Sequence, residues 1–124
     1  MKLLTQMFTA LRNGQTARKQ VIQIPYSTLC WNVLTVFFFH GYINGLQKND
    51  SKILVVLKYV NDQPAIRKLK QISTSSQRVY SSYAHFTPTH HGLGLLLVST
   101  SQGILSSQKA QEAQVGGEIL CEIF

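Results

Sequence analysis

The C-terminal third of this 124-residue chain, Gly92 to Phe124, reads GLGLLLVSTSQGILSSQKAQEAQVGGEILCEIF. Its punctuation constrains the fold more than any other feature. The apolar run Leu93–Ser99 leads into Ser99-Thr100-Ser101-Gln102-Gly103, a hydroxyl-rich stretch closed by glycine, which predicts a strand ending in a tight turn. Gly116-Gly117 lets the backbone bend before a second apolar run, Glu118–Phe124. Between them, Gln108–Ala113 has helical composition, with Ser106 or Ser107 as its N-cap. Arg78–Tyr80 and Ile104-Leu105 add short extended pieces. The segment predicts a mostly β unit carrying one short helix.

Upstream the pattern changes. Leu3, Leu4, Met7, Phe8 and Leu11 form an amphipathic stripe over Lys2–Arg12, with Asn13-Gly14 as a C-terminal stop. Val21–Ile24 predicts a short strand before Pro25. Ser27 is a suitable N-cap for a helix over Thr28–His40, and Gly41 is its natural terminator. Asn49-Asp50 marks a turn, and Ile53–Val60, interrupted by Lys58, is the densest strand pattern in the chain. Asn61-Asp62-Gln63-Pro64 turns the chain back into a further strand, Ala65–Ile72. The expected fold class is α/β (α+β) in two small domains. Residues 1–73 make a helix–strand–helix–strand–strand unit and residues 74–124 the β-rich unit, with the polar stretch Ser73-Thr74-Ser75-Ser76 as the boundary.

The formal charge is +7, and it is uneven. Residues 1–75 hold ten Lys and Arg against Asp50 and Asp62, while residues 76–124 hold Arg78 and Lys109 against Glu112, Glu118 and Glu122. The first part suits a polyanionic partner through phosphate attraction; the second must bind by hydrogen bonds and shape. Cys30 and Cys121 form no Cys-x-x-Cys motif and fit a reducing compartment. No secretory signal is visible at Met1–Ala10, and the apolar run Leu29–Phe39 is short of the roughly 20 residues that span a bilayer.

Three adjacent hydroxyls at Ser99, Thr100 and Ser101, each one donor and two acceptors, read alone as a polar β-turn, and they also suit base edges, ribose hydroxyls and phosphate oxygens of an irregular RNA helix. Gly103 allows a tight turn there. Two roles are open to Glu118: accepting from a base's exocyclic amine, or orienting the hydroxyl turn. Tyr80 either stacks on a base or is buried at a domain seam. Arg12, Arg18 and Lys19 flank a helix end and either contact phosphate or form an ordinary solvated charge run. Arg67, Lys68 and Lys70 alternate across strand faces and so form no single stripe. Phe37, Phe38 and Phe39 point in three directions around their helix, which leaves Phe38 or Phe39 for a protein neighbour. His85, His90 and His91 lack the companions a metal site needs, and no acid–base pair or poised nucleophile points to catalysis.

Ser99-Thr100-Ser101-Gln102-Gly103 followed by Gly116-Gly117-Glu118 closely resembles the C-terminal domain of the bacterial-type small-subunit ribosomal protein number eight family. Further matching pieces run in order upstream: Leu11-Arg12-Asn13-Gly14, then Pro25 with Ser27 and Leu29, Gly41-Tyr42-Ile43, Leu57-Lys58-Tyr59, and Arg78-Val79-Tyr80. The resemblance implies a non-enzymatic constituent of the small ribosomal subunit. It implies binding to the central domain of small-subunit rRNA and support of subunit assembly, with no cofactor, metal, membrane or small-molecule substrate. The implied RNA contacts are Arg12, Asn13, Arg18, Lys19, Arg78, Tyr80, Ser99, Thr100, Ser101, Gly103, Gly116, Gly117 and Glu118. Phe38 and Phe39 are left for neighbouring ribosomal proteins.

The chain departs from the family's pattern in two places. Ser75-Ser76 and Ser81-Ser82 flank Arg78–Tyr80 where the family usually has Pro-Gly and basic residues. The second helix ends Phe37-Phe38-Phe39-His40 where charges are normal. The first lacks the loop's usual phosphate grip and the second adds an aromatic surface for a protein contact; together they favour a mitochondrial ribosome, with plastid or bacterial cytoplasm as alternatives. Two rivals from other classes are a free interaction module docking through the Phe-rich helix and a small enzyme with a Gly-rich loop.

Overall fold

The computed structural model describes residues 2–85 and 94–124. The chain divides into two compact units, Met1–Arg67 and Lys68–Phe124. Among the described residues no helix is long and apolar enough to cross a membrane.

The first unit runs α1 (Lys2–Thr16), β1 (Val21–Pro25), α2 (Thr28–Phe39), β2 (Ile43–Asn49) and β3 (Lys52–Leu57). This is the helix–strand–helix–strand–strand order expected from the sequence, built from a different last pair of strands. The three strands form an antiparallel sheet in the order β1-β3-β2. β3 is central, pairing with β1 and β2, and its alternate residues Ile53, Val55 and Leu57 turn one buried face to the core. Leu4, Met7, Phe8 and Leu11 of α1 and Cys30, Val33, Leu34 and Phe37 of α2 complete the core. The second set falls at i, i+3, i+4 and i+7, one helical stripe. Fully burying a side chain of Leu or Phe size stabilises by about 1.5–3 kcal/mol.

The ends of α2 follow the sequence closely. The Ser27 hydroxyl accepts from the Cys30 N–H at 3.2 Å. At the other end Gly41 has φ +79°, its N–H donates to the Phe38 carbonyl, and the Tyr42 N–H donates to that of Phe37. This is a Schellman closure, and the Phe37 and Tyr42 rings pack edge to face across it at 6.4 Å.

Four expectations need correction. α1 does not stop at Asn13-Gly14 but continues to Thr16. Gly14 is needed for its size, since a Cβ there would come 2.8 Å from Ile22 Cγ2. β2 was not expected, because its residues are mostly polar; it is an edge strand with a register shift between Ile43 and Gly45. The run Ile53–Val60 breaks at Lys58, and Tyr59–Val60 (β4) pairs instead with Gln63–Pro64 (β5). Only Leu69–Gln71 (β6) of the expected strand Ala65–Ile72 is extended in a sheet, and it pairs in the second unit.

The second unit continues with β7 (Tyr80–Ser81), a 3-10 turn at Tyr83–His85, β8 (Leu95–Thr100), β9 (Gly103–Ser106), α3 (Ser107–Glu112) and β10 (Gly117–Ile123). β10 is central. It pairs antiparallel with β6 and β7 along one edge and with β8 along the other, and β8 pairs with β9. Ser106 caps α3 by accepting from the Lys109 N–H. Ala110 of α3 packs on Leu96 and Val98, with Ile72, Leu105, Val115 and Ile119 around them. The α3 side of the sheet is thereby filled.

Candidate nucleic-acid interface

Strand register assembles the C-terminal candidate residues. Gly117 pairs with Ser81, Glu118 pairs with Tyr80 on one side and Ser99 on the other, and Ser99 pairs with Ile104. Directly opposed residues share a face, so Tyr80, Glu118, Ser99 and Ile104 form a row across four strands. Tyr80, at 69% exposed, leaves its ring to solvent. This fits the stacking alternative for Tyr80 better than the buried one.

The hydroxyl turn lies beside this row. Thr100 pairs with Gly103, leaving Ser101-Gln102 as the turn between β8 and β9. Thr100 Oγ1 donates to the Gly103 carbonyl at 2.8 Å and accepts from the Gln102 N–H at 3.1 Å. Its hydrogen-bonding capacity is largely spent inside the loop. Gly103 has φ +109°, with no atom within 4 Å of where a Cβ would sit, so backbone angle rather than crowding requires glycine. The side chains of Ser99 and Ser101 have no hydrogen-bond partner among the described residues, and Ser101 is exposed. The three hydroxyls therefore divide into one that shapes the turn and two that are free.

Gly116 and Gly117 act through close approach. A Cβ on Gly117 would lie 2.0 Å from the Ser99 carbonyl oxygen, and one on Gly116 would lie 2.6 Å from that of Ser81. The pair lets the start of β10 pass between β7 and β8 at backbone contact. Glu118 does not bond the hydroxyl turn. Its carboxylate accepts from Arg78 Nη1 at 3.2 and 3.4 Å. Glu118 is only 13% exposed and Arg78 47%, so the carboxylate anchors a guanidinium that still reaches water.

Ser73 was missed by sequence reasoning. It is fully buried, accepts from the Val79 N–H at 2.9 Å and donates to the Val79 carbonyl at 3.3 Å. Its neighbours Thr74 and Gln77 close a turn, so this polar stretch holds Arg78 and Tyr80 in place. Sequence gave no signal, because a buried serine and a linker serine look alike.

The N-terminal candidates are less concentrated. Arg12 lies inside α1, with Nε donating to the Phe8 carbonyl, and the Asn13 carbonyl accepts from the Ala17 N–H. Arg18 takes φ +58° just beyond the helix and donates to the Asp62 carbonyl. The Lys19 carbonyl accepts from the Tyr59 hydroxyl at 2.6 Å. The Phe38 and Phe39 rings meet edge to face at 5.9 Å and are 43% and 78% exposed. Burial pushes the Cys121 thiol up, and burial outweighs the Ser27 hydrogen bond in raising Cys30. No group of His, Cys, Asp or Glu suited to a metal occurs among the described residues; His90, His91 and the Gly92-Leu93 dipeptide lie outside them.

A family model described as ribosomal protein S8 matches residues 2–124. The chain belongs to the ribosomal protein S8 family. The small ribosomal subunit protein uS8 of Sphingopyxis alaskensis is 42% identical over 128 residues, covering 98% of this chain and 96% of that protein. The uS8 proteins of Rhizorhabdus wittichii and Paramagnetospirillum magneticum are 41% and 39% identical over 125 and 126 residues, each across 98% of the chain and 95% and 96% of the relative. These relatives are bacterial. The S8 family is structural rather than enzymatic, so the enzyme reading of the Gly-rich loop falls away.

Proposed function

We propose that this chain is a structural constituent of the small ribosomal subunit. It binds the central domain of small-subunit rRNA and supports subunit assembly and translation. The observation that carries this reading is the pair of hydroxyls without a partner among the described residues, Ser99 and Ser101, on the same sheet as the exposed Tyr80 and close in register to the anchored Arg78.

Each group has a role. Ser99 and Ser101 hydrogen-bond to ribose and base edges, which is how irregular RNA is read. Tyr80 stacks on a base or ribose. Arg78 contacts phosphate while Glu118 fixes its position. Thr100 and Gly103 set the shape of the turn, and Gly116 and Gly117 bring the strands beneath it together. Arg12, Asn13, Arg18 and Lys19 add contacts from the first unit, where most of the positive charge lies. Phe38 and Phe39 dock on a neighbouring small-subunit protein, because a helix end without Lys or Arg offers nothing to phosphate. We place the ribosome in a mitochondrion, on the Phe-rich helix end and on Ser81-Ser82, which stand where the family usually carries charge.

The test is sedimentation of the tagged chain from its source. Co-migration with the small subunit of mitochondrial ribosomes is expected. Migration with no ribosomal particle would overturn the functional reading, and migration only with cytoplasmic or plastid particles would overturn the compartment.

A further inference from the structure

We propose that an open hollow at the β4–β5 turn of the first unit is a phosphodiester-binding subsite held by Lys58 and Arg67. This rests on the rRNA-binding reading and assigns it residues outside both glycine-marked turns. The hollow measures about 360 Å³; Gly41, Lys58, Asn61, Gln63 and Arg67 are among the residues that line it. Its lining includes two cationic residues and two amide residues, and no acidic residue lines it among the described residues. Its openness suits a polymer backbone better than an enclosed small molecule.

One of the two cations is held in place. Lys58 Nζ donates to the Gly41 carbonyl at 3.1 Å, which fixes the ammonium while leaving it two further donors. The Lys58 carbonyl accepts from the Ala65 N–H at 2.9 Å, closing the ends of the β4–β5 hairpin. Asn61 and Asp62 form the tip with φ +51° and +63°. The Arg18 guanidinium bonds the Asp62 carbonyl and brings a third positive charge to the one acidic residue of the turn. Arg67 is exposed and has no partner among the described residues, so its planar fork is available for two phosphate oxygens. Apart from Asp62, the only acid in the first unit is Asp50.

The test uses the full chain and a transcript of the small-subunit rRNA central domain from the chain's own source, titrated over a range of salt. Neutralising one phosphate contact removes roughly 0.7–0.9 from the log–log salt slope. The double variant Lys58→Gln, Arg67→Gln is expected to flatten the slope by roughly 1.4–1.8. Arg67→Gln alone removes no hydrogen bond among the described residues, and it is expected to flatten the slope by about half as much with an unchanged melting temperature. Lys109→Gln, in the second unit, is expected to leave the slope unchanged. Wild-type slopes in the Arg67 and double variants would overturn the subsite, as would an equal loss in Lys109→Gln. Normal slopes with poor incorporation into the subunit would put an acidic protein segment in the hollow instead. A wild-type chain that did not select this transcript would overturn the rRNA reading and the subsite with it.

Discussion

Replacing Gly117 by Ala places a methyl group where β10 has no room for one. The added Cβ would sit 2.0 Å from the Ser99 carbonyl oxygen, 2.9 Å from its carbonyl carbon and 3.2 Å from Thr100 Cα. Carbon atoms in contact normally stay about 3.5–4.0 Å apart. All three obstacles are backbone, so no side chain can swing away; β8 and β10 must separate. Overpacking of this kind costs about 1–3 kcal/mol. The nearest ladder position, Glu118 with Ser99, loses one or two hydrogen bonds at about 0.5–1.5 kcal/mol each. The sum is roughly 1.5–6 kcal/mol, a large part of the 5–15 kcal/mol that holds a typical domain. Urea unfolding followed by circular dichroism reads it as a lower midpoint with an unchanged slope. An unfolding free energy within about 0.5 kcal/mol of wild type would refute the close approach of the two strands.

Other expectations follow from the same geometry. Thr100→Ala removes two loop hydrogen bonds and should lower stability by about 1–2 kcal/mol, read by the same urea titration; no change would mean the hydroxyl does not shape the turn. Burial raises both thiols in the folded state, so their neutral forms stabilise the fold below the unfolded value near 8.5, and that contribution is lost as pH climbs above it. Urea midpoints should therefore fall between pH 7.5 and about 10, and a thiol reagent should label Cys30 and Cys121 only after unfolding; rapid labelling of the native chain would contradict this. Phe39→Ser, at a ring 78% exposed, should alter stability by less than about 0.5 kcal/mol yet reduce incorporation into the subunit, and normal incorporation would remove the protein contact.

What could be read in advance depended on how local the cause was. α2 was legible because its N-cap Ser27 and its terminator Gly41 act within a few residues of the helix ends; which of its many apolar residues are buried, Cys30, Val33, Leu34 and Phe37, only the fold showed. The turn at Thr100–Gly103 was legible for the same reason. β2 was not, because an edge strand with Asn44, Gln47, Lys48 and Asn49 is extended only through pairing with the apolar β3. The strand expected over Ala65–Ile72 shrank to Leu69–Gln71, since pairing with Cys121–Ile123 of β10 sets its length. In the candidate site the residues themselves carried the signal, but their connections did not. Arg78 meets Glu118 across 40 positions, and Ser73 reaches Val79 only after the chain turns. Only the fold also showed that Thr100 is committed to the loop while Ser99 and Ser101 are free.

That division is the core of the functional account, and equilibrium binding of the full-length chain to a transcript of the small-subunit rRNA central domain measures it. Among the described residues neither the Ser99 nor the Ser101 side chain has a hydrogen-bond partner, so alanine at either position should leave the melting temperature unchanged. Each substitution should weaken binding by about 1 kcal/mol, roughly fivefold, and the double variant by more. Wild-type affinity in the double variant would contradict the claim that this turn holds the RNA.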